Sequence, residues 1–238
     1  MLSLLMKSRV LLVILLLGCS SASTPPGEIR VLVYNIHAGR DAAGVDNLVR
    51  VTDLIRSTGA DLVLLQEVDR GTTRSGNVDQ LARLEELTGL RGVFGKSLDY
   101  QGGQYGIAVL SRWPIRAHRI VPLPNEPPQP RAGGAIEPRI ALEIETNGMK
   151  VVNTHLDASR EETYRLQEVD HLLPAIVSAD LIGGDFNAEP QSTVLERVLA
   201  SGLRDAWALC GSGPELTYPD GVPVKRIDYL FLSPRFTC

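Results

Sequence analysis

Gly183-Gly184-Asp185-Phe186-Asn187-Ala188-Glu189-Pro190 is the stretch on which the reading of this chain turns. It follows apolar Leu181-Ile182 and precedes a helix-like segment from Ser192. That order predicts a turn at the C-terminal end of a buried strand, the edge at which open sheets build sites. Two glycines permit a tight turn and the close approach of a ligand. Asp185 offers a carboxylate and Asn187 an amide, one residue apart, so both can face one pocket. The same pair in an Asx-type turn would bond only its own backbone. The remainder of the chain arbitrates between these readings.

Working outward, several other segments end in polar residues after an apolar run. Residues 29–34 are apolar and β-branched, hence a strand, and they lead into Asn35. A helix capped by Asp46 or Asn47 runs to about residue 57 and stops at Gly59. Residues 61–66 form a second buried strand leading into Glu67. A helix is predicted over 77–87, short strands over 92–94, 105–110 and 115–121, and a proline-rich loop over 122–130. Residues 136–145 and 149–154 read as a hairpin turning at Asn147-Gly148, and the second arm delivers His155. A helix over 160–172, a strand over 179–182, a helix over 193–200 and a strand over 226–232 containing Asp228 complete the order. Strands and helices alternate early and hairpins follow, which predicts a mixed sheet or two packed sheets covered by helices.

Asn35, Glu67, His155, Asp185 and Asn187 thus stand at strand ends, which suggests convergence on one site. Carboxylate and amide oxygens suit a hard cation such as Mg²⁺ that keeps several waters. Glu67 is the natural carboxylate ligand, and a phosphate would complete the shell. Asp185 could orient or deprotonate a water. His155 or Tyr105 could hydrogen-bond a phosphate as negative charge builds. His37, His118 and His171 match no motif and are read as loop, surface or helix residues. Trp113 and Trp207 are read as core.

The ordered motifs are the strand ending in Asn35, Leu65-Gln66-Glu67-Val68, Tyr105-Gly106-Ile107-Ala108-Val109-Leu110-Ser111-Arg112, Thr154-His155-Leu156, Gly184-Asp185-Phe186-Asn187 and Arg226-Ile227-Asp228-Tyr229. Together, from about residue 29 to residue 232, they resemble the endonuclease/exonuclease/phosphatase superfamily of metal-dependent phosphohydrolases. The resemblance implies a four-layer α/β sandwich with two central mixed β-sheets flanked by helices. It implies that Asn35 and Glu67 hold the metal (Mg²⁺, with Mn²⁺ as the other candidate) and that Tyr105 and His155 contact the scissile phosphate. It further implies that Asp185 positions the nucleophilic water, that Asn187 holds phosphate or metal, and that Asp228 orients a catalytic histidine. Arg139, after Glu137-Pro138, is a candidate phosphate-side residue. One departure stands out. The family ends with a Ser-Asp-His motif and a last strand, and this sequence shows neither after Asp228-Tyr229. An open sheet edge and an incomplete site are therefore expected, as in a truncated reading frame, or else another histidine serves.

The start of the chain reads as a targeting segment rather than a folded element. Lys7 and Arg9 precede an apolar run too short to span a bilayer. Leu16-Leu17-Gly18-Cys19 resembles a bacterial lipobox, so residues 1–18 are read as a lipoprotein-type signal, Cys19 as the lipidated residue, and 19–28 as a tether. The single domain is then 29–238. Export to a bacterial cell envelope with a lipid anchor follows, a soluble periplasmic or secreted form being the alternative. Lys and Arg number 24 against 28 Asp and Glu; without residues 1–18 the difference is 22 − 28 = −6. With no basic run to compensate, a dedicated duplex nuclease is disfavoured. Cys210 and Cys238 could pair. The expected protein is a monomeric, metal-dependent phosphoester hydrolase whose substrate is a phospholipid head group, a nucleotide or a nucleic acid. The alternative is an impaired remnant or binding module.

Overall fold

The computed structural model describes residues 12–18, 27–41, 43–128 and 137–238. Cys19, most of the tether, Lys7 and Arg9, and the end of the proline-rich loop lie outside them. The elements are β1 (Leu12–Gly18), β2 (Glu28–Asn35), α1 (Leu48–Thr58), β3 (Leu62–Arg70), α2 (Gln80–Thr88), β4 (Arg91–Tyr100), β5 (Gly103–Ser111), β6 (Ile115–Pro122), β7 (Ile140–Thr146), β8 (Met149–His155), α3 (Thr163–Ser178), β9 (Leu181–Asp185), α4 (Thr193–Leu199), β10 (Arg204–Asp205), α5 (Ala206–Cys210), β11 (Asp228–Leu232) and β12 (Phe236–Thr237). They build two six-stranded sheets, ordered β12-β1-β2-β3-β5-β4 and β10-β11-β9-β8-β7-β6. Parallel pairs β2/β3 and β8/β9 lie among antiparallel neighbours, so both sheets are mixed.

The period-2 alternation of strand side chains assigns the layers. Val31, Val33, Leu62 and Leu64 face the second sheet and meet Ile140, Leu142, Val151, Leu181 and Leu230 in a central core. Their sequence neighbours Leu32, Tyr34, Val63 and Leu65 face outward and are covered by Leu48, Val51 and Ile55 of α1 and Leu81 and Leu84 of α2. On the far side, Val152, Ile182, Tyr229 and Phe231 pack against Val169, Leu172 and Ile176 of α3 and Val194, Leu195 and Val198 of α4. The result is the four-layer α/β sandwich with two mixed sheets.

Several boundaries differ from the sequence expectation, each for a physical reason. Gly183 and Gly184 lie inside β9 rather than in a turn. A Cβ on Gly184 would sit 1.9 Å from the Thr154 carbonyl oxygen, and one on Gly183 would sit 2.8 Å from Leu64. The glycines serve close approach of strand to strand and sheet to sheet. The helix expected over 160–172 runs on to Ser178 through Pro174, because Leu172, Ala175 and Ile176 bury its far end. The helix expected from residue 77 begins at Gln80, where the Asp79 side chain accepts from Ala82 N. Asp228 opens β11 instead of lying within a strand.

The segment read as unfolded targeting sequence contains β1, which pairs antiparallel along β2 from Leu12↔Val33 to Leu17↔Glu28. The sheet edge expected to stand open is paired on that side by β1, and beyond it by β12. Cys210 and Cys238 form a disulfide, with Cα atoms 6.0 Å apart, tying the end of α5 to the residue after β12. Among the described residues no helix is long and apolar enough to cross a membrane.

Candidate active site

The site is built at one end of the two sheets, where their strand ends meet. The first sheet brings Asn35, the last residue of β2, beside Glu67 of β3 and Tyr105 of β5. Glu67 sits at a break in the β3/β5 register between Leu65 and Val68, in the left-handed region with φ +56°. A bulge of this kind re-aims a side chain, and a non-glycine residue held at such φ marks a place where packing over-determines the backbone. His37, Ala38 and Asn187, next to Asn35 and Asp185 in sequence, also have positive φ. The strain gathers around the site.

The second sheet brings His155, the end of β8, beside Asp185, the end of β9, in register. Asp228 stands opposite Asp185 across β9/β11, and its N–H donates to Thr217 Oγ1 at 3.2 Å. Phe186 is the anchor between Asp185 and Asn187. It is fully buried against the edges of Tyr229 and Phe231, with ring centroids 5.7 and 5.3 Å away, and its N–H donates to Ile227 O at 2.8 Å. Tyr229 Oη donates to Ala188 O at 2.9 Å. The aromatic plug fixes the turn, and the flanking Asp and Asn are left on the site side.

Hydrogen bonds join the two halves. Asn35 Nδ2 donates to Glu67 Oε1 at 2.8 Å and to Asp185 Oδ2 at 3.1 Å, while Asn35 Oδ1 accepts from His37 N at 3.0 Å. Asp185 Oδ1 accepts from Asn187 N at 3.0 Å, and Asn187 Nδ2 donates to Leu156 O at 2.9 Å. Both readings of the Asp185–Asn187 pair therefore hold at once: one oxygen makes the Asx turn and the other faces the site. Asp185 is 5% exposed. Burial, with the Glu67 charge, raises its carboxyl to about 6 against the lowering pull of the N–H groups of Asn35 and Asn187 and of the Arg139 charge.

His155 is held from its other side. Arg139 Nη1 lies 3.2 Å from His155 Nδ1. A guanidinium only donates, so Nδ1 accepts and the proton of the neutral ring sits on Nε2. That Nε2 is 3.8 Å from Asp185 Oδ2, a contact longer than a hydrogen bond. Arg139 also pairs with Glu137 Oε1 at 2.7 Å, which accepts from Tyr105 Oη at 3.2 Å. Burial first, and then Glu67 and Glu137, keep the Tyr105 hydroxyl protonated well above its ordinary range. The structure thus gathers Asn35, Glu67, Asp185 and Asn187 in one hydrogen-bonded group and Tyr105, Arg139 and His155, through Glu137, in a second; the two meet at the His155–Asp185 contact, with Asp228 alongside. His118 and His171 lie on the surface, and His37 is exposed beside Asn35. Trp113 and Trp207 are half-buried against the central core.

The sequence reading passed over two residues beneath this network. Gln66 Nε2 donates to Asn153 Oδ1 at 2.7 Å. Asn153 Nδ2 donates to Leu65 O and Ala108 O, both at 2.9 Å. Those carbonyls flank the bulge at Glu67, so a side chain from the second sheet replaces ladder bonds that the bulge removes from the first. Strand parity carries the signal: Gln66 shares a face with Leu62 and Leu64, and Asn153 with Val151, which sets both polar groups inward.

Among the described residues no three His, Cys, Asp or Glu side chains cluster closely enough to hold an ion alone. Two carboxylates, Glu67 and Asp185, nevertheless converge on the positive end of one amide. That concentration of negative charge fits a hard cation as part of a shell completed by water and phosphate.

The class of protein is thus an α/β sandwich of two mixed sheets flanked by helices, with carboxylate, amide and imidazole groups at the strand ends where the sheets meet. The sequence model of the Endonuclease/Exonuclease/phosphatase family matches residues 32–238, and the chain belongs to that family, which includes phosphatases and nucleases and is generally hydrolytic. YbhP of Escherichia coli K12 is 26% identical over 218 residues, which cover 87% of this chain and 85% of that protein. An endonuclease/exonuclease/phosphatase structure from Beutenbergia cavernae superposes with a TM-score of 0.71 at 25% identity, over 87% of this chain and 64% of that one. A Bacteroides thetaiotaomicron mannosyl-6-phosphatase shares the fold with a TM-score of 0.67 at 17% identity, over 87% and 85% of the two chains.

Proposed function

We propose that this chain is a metal-dependent phosphoester hydrolase in which water attacks phosphorus at Asp185. The observation that carries the reading is the meeting of Asn35, Glu67, His155 and Asp185, from both sheets, around one buried carboxylate. Glu67 is the carboxylate that would hold Mg²⁺ or Mn²⁺, and Asn35 would join it through Oδ1 once its amide turns away from the His37 N–H that Oδ1 accepts from here. When bound, the ion supplies charge stabilisation on the phosphate oxygens.

The chain's own groups account for the rest. Asp185 orients the water and accepts its proton, its position fixed by the N–H groups of Asn35 and Asn187; as the new P–O bond forms the ester P–O bond breaks, and the departing alkoxide or aryloxide takes a proton from solvent. His155 presents Nε2–H to a phosphate oxygen, its tautomer set by Arg139. Tyr105, a protonated phenol, adds a second donor on the Glu67 side. Arg139 supplies positive charge beside the developing oxyanion, and Asn187 holds the turn that aims Asp185. The acidic balance favours a small phosphate ester over duplex nucleic acid.

Purified full-length chain is expected to hydrolyse an aryl phosphodiester in Mg²⁺, to lose that activity in excess chelator, and to regain it on adding Mg²⁺ or Mn²⁺. A rate unaffected by chelator would reject the mechanism. A folded, silent protein would favour the alternative, an impaired remnant or binding module. A lipid anchor at Cys19 in a bacterial envelope is proposed on the lipobox-like Leu16-Leu17-Gly18-Cys19; cleavage before Cys19 would remove β1 and uncover the edge of β2 that it pairs in the full-length chain. Intact-mass analysis of membrane-extracted protein is expected to show a diacylglyceryl adduct on an N-terminal Cys19, and an unmodified terminus would remove the proposal.

A further inference from the structure

The loop after β3 holds an arginine at the site's rim more firmly than a solvent-facing side chain requires. Arg74 Nε and Nη2 make a bidentate pair with Asp69, both bonds 2.7 Å, and Asp69 is wholly buried while Arg74 is 28% exposed. Thr72 Oγ1 donates to the same carboxylate at 2.6 Å. The Arg74 backbone is pinned as well: its N–H donates to Gln101 Oε1 at 3.1 Å, and its carbonyl accepts from Arg40 Nη1 at 2.7 Å. Thr73 N donates to Gln101 O at 3.0 Å. The guanidinium lies over two aromatic rings, with Cζ 4.8 Å from the Tyr100 centroid and 5.2 Å from the Tyr105 centroid. Tyr105 is the phenol whose hydroxyl enters the network through Glu137.

One edge of the fork is consumed by Asp69, and Nη1 makes no hydrogen bond among the described residues. A planar cation fixed in place with a free edge is suited to bidentate recognition of an oxyanion, because little side-chain freedom is left to lose on binding. If Arg74 served only to neutralise Asp69, the two ring contacts and the pinned backbone would have no bearing on the site. Yet they hold the guanidinium beside Tyr105.

We propose that Arg74 forms a second anion subsite beside the scissile-phosphate position, and that the preferred substrate carries a second phosphate group. The subsite deepens the hydrolase reading and rests on it for where the first phosphate lies. Its test uses binding, which needs no turnover. Affinities of the full-length chain for methylenediphosphonate and for methylphosphonate are measured by calorimetry in Mg²⁺, for wild type, Arg74→Gln and Arg74→Lys.

Wild type is expected to prefer the diphosphonate. Arg74→Gln is expected to lower the ratio of the two affinities by about tenfold or more, the scale of a charge-assisted hydrogen bond, and Arg74→Lys to fall between. A purely structural role would weaken both ligands alike and leave the ratio in place, which would overturn the subsite. So would a wild-type chain with no preference, or with no binding of either ligand. A retained preference in a chain that hydrolyses nothing would reject the enzymatic reading while sparing the subsite.

Discussion

Asp185→Asn is expected to lower aryl phosphodiester hydrolysis by about 10²–10⁴-fold, the range for loss of a positioned general base. Asparagine has the shape of aspartate and keeps one acceptor oxygen, but it cannot take a proton from water. The structural cost is small by comparison. Asp185 accepts from Asn35 Nδ2 and Asn187 N, and the substitution gives up one of these bonds, about 1 kcal/mol. For a domain of this size that moves the thermal midpoint by about 2–4 °C. A kcat assay beside a thermal melt separates the two effects. Activity within threefold of wild type would remove Asp185 from its proposed role.

Asn153→Leu is expected to be the most damaging single change to the fold among residues near the site. Leucine keeps the branched outline, with somewhat more bulk, but brings no donor, so Leu65 O and Ala108 O lose their partner in the centre of the sandwich. Each buried polar group left unpaired costs about 1–3 kcal/mol, which gives roughly 2–6 kcal/mol for the pair and a fall in midpoint on the order of 10 °C. Urea titration should show the same loss through its midpoint with little change in slope. A shift under 2 °C would mean that the bulge at Glu67 holds itself, and that the amide is incidental.

The strands were legible as apolar runs set among helices, and their order in four layers came from the family resemblance; in the fold one set of side chains meets the opposite sheet and the other meets helices. The strand ends were legible for the same reason, since a polar residue after an apolar run stands out. β4 was read as residues 92–94 because Gly95, Lys96, Ser97 and Asp99 carry no apolar signal; pairing with β5 carries the strand to Tyr100. Pro174 reads locally as a helix stop, and burial on both sides overrides it. The site's supports were hidden for a different reason. Gln66 and Asn153 meet across 87 positions of sequence, and Arg74 meets Asp69 and the tyrosines only after the loop folds back over β5. Contacts of that kind exist in the closed fold and leave only faint traces in spacing.

The tie between Gln66 and Asn153 has a consequence for how such a protein can diverge. The two walls of its candidate site belong to different sheets, Asn35, Glu67 and Tyr105 on one and His155, Asp185 and Asn187 on the other, and the tie rivets them from below. New substrates cannot be accommodated by prising the walls apart without breaking that rivet. On the proposed reading, specificity is free to drift only along the rim, where loop residues such as Arg74 can be exchanged while the floor of the site stays at fixed gauge.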